Sequence, residues 1–302
     1  MQSTSRANAA VGPSTAATDP DVAAAPRSGF VEDLEAALLE FVGTILFLLL
    51  GLGGIQAAAA SNAASVAASG QAINTVASIS QLLYIAVSMG LSLLVSVWLF
   101  YRVTGGVFNP AVSTSLLLIG AIGPLRFVLY CIAQLAGAIA ASALLLALLP
   151  GPLSVNTVPG PGVNKAQAVW IEAFITAALC FAVLMLAAEK HRSTAFAPIG
   201  IGLTLFACHL FAVIYTGAAM NTARAFGPAV VTEFHHSHWV YWLGPFIGSL
   251  IASGLYYILK LLPYWRLNPG QDTDNIYRSP QPVGPLAGHE KGRTAGVGNQ
   301  AV

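Results

Sequence analysis

The chain has 302 residues, 56% of them hydrophobic and 8% charged, with a formal net charge of +1. A soluble domain carries about 25% charged residues, so there is too little polar material to cover a soluble fold, and the composition belongs to the membrane class. The near-zero net charge points to no nucleic-acid or acidic partner. The three cysteines, Cys131, Cys180 and Cys208, lie inside apolar runs. That placement and the odd number read as buried small side chains rather than a disulfide framework.

Residues 1–30 are rich in Ala, Ser, Thr and Pro and hold no apolar run. They lack the roughly 7–15-residue apolar stretch of a signal peptide and read as a disordered tail. A bilayer core needs about 20 apolar residues per helix, and six segments qualify: 34–55, 80–101, 125–149, 168–188, 195–215 and 239–262. Residues 56–78 are Ala/Ser-rich and uncharged. They are too polar for a lipid-facing span and predict a long loop. Residues 149–167 are Pro/Gly punctuation. From residue 268 the chain turns polar and Gly/Pro-rich, a second disordered tail. The reading is a single membrane domain over 31–267 between tails at 1–30 and 268–302.

Lys and Arg mark orientation. Arg27, Arg102, Arg126, Lys190, Arg192, Lys260 and Arg266 flank one set of helix ends, whereas the opposite loops carry only Lys165. Both termini are expected in the cytoplasm. The membrane, plasma or internal, is not encoded in this pattern.

An internal repeat carries most of the information. "TGGVFNPA" begins at Thr104 and "TGAAMNTA" at Thr216, each after the second helix of a triplet. Each triplet opens with a helix bearing a carboxylate, Glu40 and Glu172. Three spans followed by three spans give the halves opposite orientations, an inverted repeat whose solute site forms at the midplane from broken helices. About ten mostly apolar residues follow each asparagine, enough for about 15 Å of helix, or half a bilayer. Asn is a preferred N-cap and Pro suits N1, so Asn109 and Asn221 are expected at the N-termini of two re-entrant half-helices. Each N-terminus presents about +0.5 charge. Two that converge form a barrier to cations, protons included, while the asparagine amides can bond a neutral passing molecule. The predicted fold is an all-α membrane protein of six transmembrane helices and two re-entrant half-helices.

The motifs "GVFNPAV", "YTGAAMNTARAFGPAVV", "IAQLAGAIAAS" and "HWVYWLGPFIGSLIAS" together resemble the aquaporin family over residues 34–262. The resemblance implies a homotetramer with one water pore per subunit. It makes Asn109, Pro110, Ala111, Asn221, Thr222 and Ala223 the central constriction, and Met89, His209, Ala218 and Arg224 a second, narrower filter. His209 with Arg224 is similar to the water-selective combination, as are Ala225 after the arginine and the pair Tyr241-Trp242. Two positions depart from the pattern: Met89 stands where water channels usually have Phe, and Thr222 where the family has Pro. The implied function is passive water flow, with no cofactor and no enzymatic chemistry.

Other readings of single residues stand beside this one. Intramembrane carboxylates are functional candidates by default, and Glu40 and Glu172 would serve an ion-coupled transporter. The resemblance instead implies that they accept hydrogen bonds from the re-entrant loops. "HHSH" at 235–238 invites a metal reading, but no Cys, Asp or second His cluster completes a site, and a solvated loop is expected. The "GAIAA" pattern of the third span reads as close helix packing, with Gln134 as a polar tie between helices. Alternatives to the water channel are a broader pore for glycerol, hydrogen peroxide or ammonia, and a poorly conducting structural membrane protein.

Overall fold

Lipid offers no partner to a bare N–H or C=O, so apolar runs of bilayer length must satisfy their backbone internally and become helices. In the computed structural model, which describes residues 29–69 and 77–267, all regular structure among those residues is helical. Eight α-helices follow in chain order: α1 (Phe30–Ser69), α2 (Ile79–Phe100), α3 (Pro110–Leu118), α4 (Pro124–Leu148), α5 (Lys165–Val183), α6 (Ala197–Thr216), α7 (Thr222–Val231) and α8 (Val240–Leu261). A π-helical turn, Leu184–Ala188, extends α5, and 3-10 turns occupy Arg192–Phe196 and Tyr264–Arg266. Six of the helices are long and apolar enough to cross a membrane. The predicted tails lie outside the described residues, except that α1 already begins at Phe30.

Residues 56–78 are where the structure corrects the sequence reading. The predicted loop is helical as far as Ser69, which makes α1 a 40-residue helix, about 60 Å long at 1.5 Å per residue. Low hydropathy rules out lipid contact but not a helix. Ala has the highest helix propensity, and this Ala-rich stretch continues the helix beyond bilayer thickness. Residues 70–76 of the predicted loop lie outside the described ones.

The halves are built alike. α1 packs on α2 and α4, α5 packs on α6 and α8, and α2 against α6 joins the two triplets. The half-helices bind the triplets further together, because α7 lies mainly against α4 while α3 touches both α4 and α8. Close approach falls at corresponding glycines. A Cβ at Gly137 of α4 would lie 2.8 Å from the Phe41 carbonyl of α1, and one at Gly248 of α8 would lie 2.5 Å from the Ala173 carbonyl of α5. Neither position could hold a side chain without moving backbone. The exterior is apolar, with Leu91, Ile132, Phe174, Phe211 and Leu250 exposed. Glu40, Gln134, Asn109, Glu172, Asn221 and Arg224 are buried. This inverse of a soluble protein is what a lipid-facing surface requires.

Candidate functional site

Each half-helix starts at an asparagine held in extended backbone. Asn109 has φ −154° and ψ 117°, and Asn221 has φ −151° and ψ 113°. The Asn109 side-chain oxygen accepts from the Ala111 N–H at 2.8 Å. That of Asn221 accepts from Ala223 at 2.9 Å and Arg224 at 3.2 Å. The side-chain amides then cross the repeat axis: Asn109 Nδ2 donates to the Met220 carbonyl and Asn221 Nδ2 to the Phe108 carbonyl, both at 2.8 Å. The two N-termini are thus tied end to end. Each amide has a second N–H, which leaves it a donor beyond the cross-bond.

The approach to each asparagine is strained. φ is positive at Phe108 (49°), Ala218 (48°) and Met220 (51°), and at Gly106 (63°), which corresponds to Ala218. Non-Gly residues hold such angles only where the surroundings impose them, at a cost of about 1–3 kcal/mol each. The buried carboxylates supply that constraint. Glu40 accepts from the N–H groups of Val107 (3.0 Å) and Phe108 (2.7 Å) and from the Thr104 hydroxyl (2.6 Å). Glu172 accepts from Ala219 (2.9 Å), Met220 (2.9 Å) and the Thr216 hydroxyl (2.6 Å). The threonines also accept from the backbone two residues on, at Gly106 and Ala218. Tyr130 and Tyr241 donate to the carbonyls of Thr104 and Thr216. Among the described residues Glu40 alone has a fourth donor, Gln134 Nε2 at 2.9 Å, and Gln134 also exchanges hydrogen bonds with Ser113 of α3. With every oxygen engaged by loop donors, these carboxylates hold the loops in shape.

A narrow cavity is lined in part by Asn109 and Asn221. Its walls are Leu93 and Val97 of α2, Leu179 and Val183 of α5, Ile201 and Leu205 of α6, Phe47 of α1 and Val112 of α3. Pairs four apart on a helix share a face. Met89 of α2 and His209 of α6 lie one turn farther along those same helix faces, four residues from Leu93 and Leu205.

Arg224 lies in the first turn of α7 and is 2% exposed. Its Nη1 donates to the Val155 carbonyl at 2.8 Å, and its Nε is buried without a protein partner. His209, 1% exposed, has Nδ1 2.9 Å from the Leu205 carbonyl. A carbonyl only accepts, so Nδ1 carries the proton and Nε2 of the neutral ring is an acceptor. That Nε2 is also buried and unpartnered. Ala218 is fully buried. Met89 is tucked against α1, where a Cβ at Gly51 would lie 2.7 Å from its sulfur. Cys208 turns away from His209 and donates weakly to the Ile175 carbonyl. Thr222 occupies N1 of α7 and is 6% exposed.

Sequence reasoning missed the two threonines as glutamate ligands and the Val155 carbonyl. The threonines were visible as the opening letters of both repeats. The carbonyl had no side-chain signature. At 235–238, the His235 and His236 rings lie tilted by 46° with centroids 4.0 Å apart, and His238 packs edge-on to Phe234. Among the described residues, no three His, Cys, Asp or Glu side chains are placed to hold a metal ion.

The family described as major intrinsic protein matches residues 28–257. An aquaporin of Laccaria bicolor is 62% identical over 250 residues, covering 82% of this chain and 78% of that protein. Aquaporin-1 of Gibberella zeae is 49% identical over 246 residues, covering 82% of this chain and 76% of its own. The X-ray structure of the aquaglyceroporin from Plasmodium falciparum matches with TM-score 0.62 at 18% identity, covering 79% of this chain and 100% of that one. At that identity the likeness speaks for the fold alone. The chain belongs to the major intrinsic protein family, the aquaporins, whose members are membrane channels and not enzymes.

Proposed function

We propose that this aquaporin is a passive, water-selective channel that excludes protons and ions. The observation that carries the reading is a pair of orphaned polar atoms on the two residues assigned to the filter. Arg224 Nε is a donor and His209 Nε2 an acceptor, both buried without a protein partner. Water both donates and accepts and so suits a donor and an acceptor alike, whereas a solute with an apolar flank leaves one of them unpaired, at a cost of about 1–3 kcal/mol. The charge of Arg224 and the two converging helix N-termini oppose cations. The apolar walls beyond offer water few competing bonds, so it moves on from the asparagine amides. The channel domain is the membrane region 31–267. It works as a homotetramer with a pore in each subunit and both termini in the cytoplasm, a reading supported by the Lys/Arg asymmetry and by family resemblance.

A second reading is a broader neutral-solute pore. It is favoured by the Met89 thioether lying against Gly51 and by the small Ala218 opposite. Stopped-flow measurement of water and glycerol permeability in proteoliposomes separates the two. The water-selective reading expects fast water flow and glycerol flux near that of bare lipid. Arg224→Ala should then raise the glycerol-to-water ratio by about tenfold, roughly 1.4 kcal/mol of barrier. Comparable water and glycerol fluxes in wild type would establish the broader pore, and water flow no faster than lipid would defeat both.

A further inference from the structure

We infer that Gln56 is a positioning residue for the Arg224 guanidinium, acting through the 149–164 segment that supplies its carbonyl partner. This inference rests on the filter role given above to Arg224. The segment has no regular secondary structure through residue 160 and holds Pro150, Gly151, Pro152, Pro159, Gly160, Pro161 and Gly162. It nevertheless supplies the only recorded protein partner of the arginine side chain among the described residues, the Val155 carbonyl at 2.8 Å. A guanidinium fork is held only as well as the oxygen it donates to, so whatever fixes Val155 fixes Arg224.

Gln56 grips the chain just before Val155 with both ends of its amide. Nε2 donates to the Pro152 carbonyl at 3.1 Å, and Oε1 accepts from the Ser154 N–H at 2.7 Å. This two-point bond to residues i and i+2 copies one rung of a β ladder and fixes the two peptide planes on either side of Leu153, one peptide short of Val155. The Gln56 side chain comes from α1, beyond the span predicted from hydropathy, and is 9% exposed. The helix must therefore run on past Ile55 for the grip to exist, which gives the uncharged extension of α1 a role. Other ties hold the segment farther along: Asn156 Nδ2 donates to the Thr232 hydroxyl and the Gly160 N–H to the Tyr215 carbonyl. Neither engages the two residues before Val155.

The test measures glycerol-to-water permeability ratios in proteoliposomes for Gln56→Met, which keeps the volume and loses both bonds, and Gln56→Glu, which keeps only the acceptor for Ser154. A merely structural fault lowers both fluxes together and leaves the ratio unchanged. Positioning predicts that Gln56→Met raises the ratio about threefold or more, the size expected from losing modest hydrogen bonds, with Gln56→Glu intermediate. Added to Arg224→Ala, Gln56→Met should change nothing further, because the two act through one group. If Arg224→Ala shifts the ratio and Gln56→Met does not, or if the two effects simply add, the inference fails while the filter stands. If Arg224→Ala itself leaves the ratio unchanged, the filter reading has failed. If neither Gln56 variant folds, the residue holds the fold rather than the filter, and the inference is likewise overturned.

Discussion

Thr222 replaces, in the second half-helix, the proline that opens the first, yet the capping asparagines differ by only 3° in φ and 4° in ψ. The N1 residue supplies a preset backbone angle, and its N–H is an orphan donor in either case. Thr222→Pro should therefore stabilise the protein by about 0.4–1 kcal/mol, chiefly by restricting the unfolded chain. Water permeability per channel should change by less than about fivefold, under roughly 1 kcal/mol of barrier. A jump of about tenfold or more would mean that threonine holds the native passage partly closed. Glu172 has a more demanding position. It meets three donors and holds Met220 at positive φ, without the fourth donor that Gln134 gives Glu40. Glu172→Gln sets an amide N–H against a backbone N–H and should cost about 1–3 kcal/mol of stability, read as a lower melting temperature in detergent. Coupling of water flow to a proton gradient, present in wild type and lost in this variant, would instead support the transporter reading.

At the scale of elements, the end of α5 shows how two distant segments are locked. After Val183, which lines the cavity, the helix widens into the π turn and ends at Glu189. The Glu189 carboxylate accepts from Lys260 Nζ (2.9 and 3.2 Å), the Tyr256 hydroxyl (2.6 Å) and the Tyr264 hydroxyl (2.7 Å). Burial pushes this carboxyl up, but the Tyr256 hydroxyl and the Lys260 ammonium outweigh it and hold Glu189 below its ordinary 4.5. A depressed folded-state value gives stability that is complete above about 4.5 and is lost as pH falls through the folded value. Melting temperature in detergent should therefore drop more steeply below about pH 4.5 in wild type than in Glu189→Gln. Lys260→Met alone leaves a buried carboxylate without its counter-ion and should cost about 3–5 kcal/mol. Removing both charges with Lys260→Met and Glu189→Leu should cost less than that single change. Equal losses in single and double variants would show that the pair contributes packing rather than charge compensation.

For the whole molecule, the arrangement of polar and apolar surface is the governing fact. Carboxylates, amides and one arginine are buried among the described residues, while many leucines and aromatics are exposed. The cavity beside Asn109 and Asn221 is lined by residues of a single chain, so the proposed passage calls for no second copy. Association in lipid draws on packing between helices rather than on hydrophobic burial. We expect native mass spectrometry from mild detergent to give a tetramer. Arg224→Ala, buried inside one subunit, should leave that tetramer intact. Monomer alone, with full water permeability after reconstitution, would separate function from assembly.

The sequence by itself determined whatever local spacing encodes. Hydropathy places six spans to within a few residues, apart from the far end of α1, because the bilayer sets the length of an apolar helix. The twice-used phrase around Asn109 and Asn221 placed both half-helix starts because caps are written in adjacent residues. Position within the repeat singled out Glu40 and Glu172. Tertiary structure decided the rest. Hydropathy reports where lipid is and not where a helix ends, so it is silent on the uncharged alanine stretch through which α1 continues. Val155 meets Arg224 through a main-chain carbonyl that any residue would offer, and Gln56 reaches residues about a hundred positions away. The Glu189 cluster forms because α8 folds back beside α5. These contacts join residues far apart in the chain through groups with no sequence signature, and only packing the two inverted halves against each other brings them together.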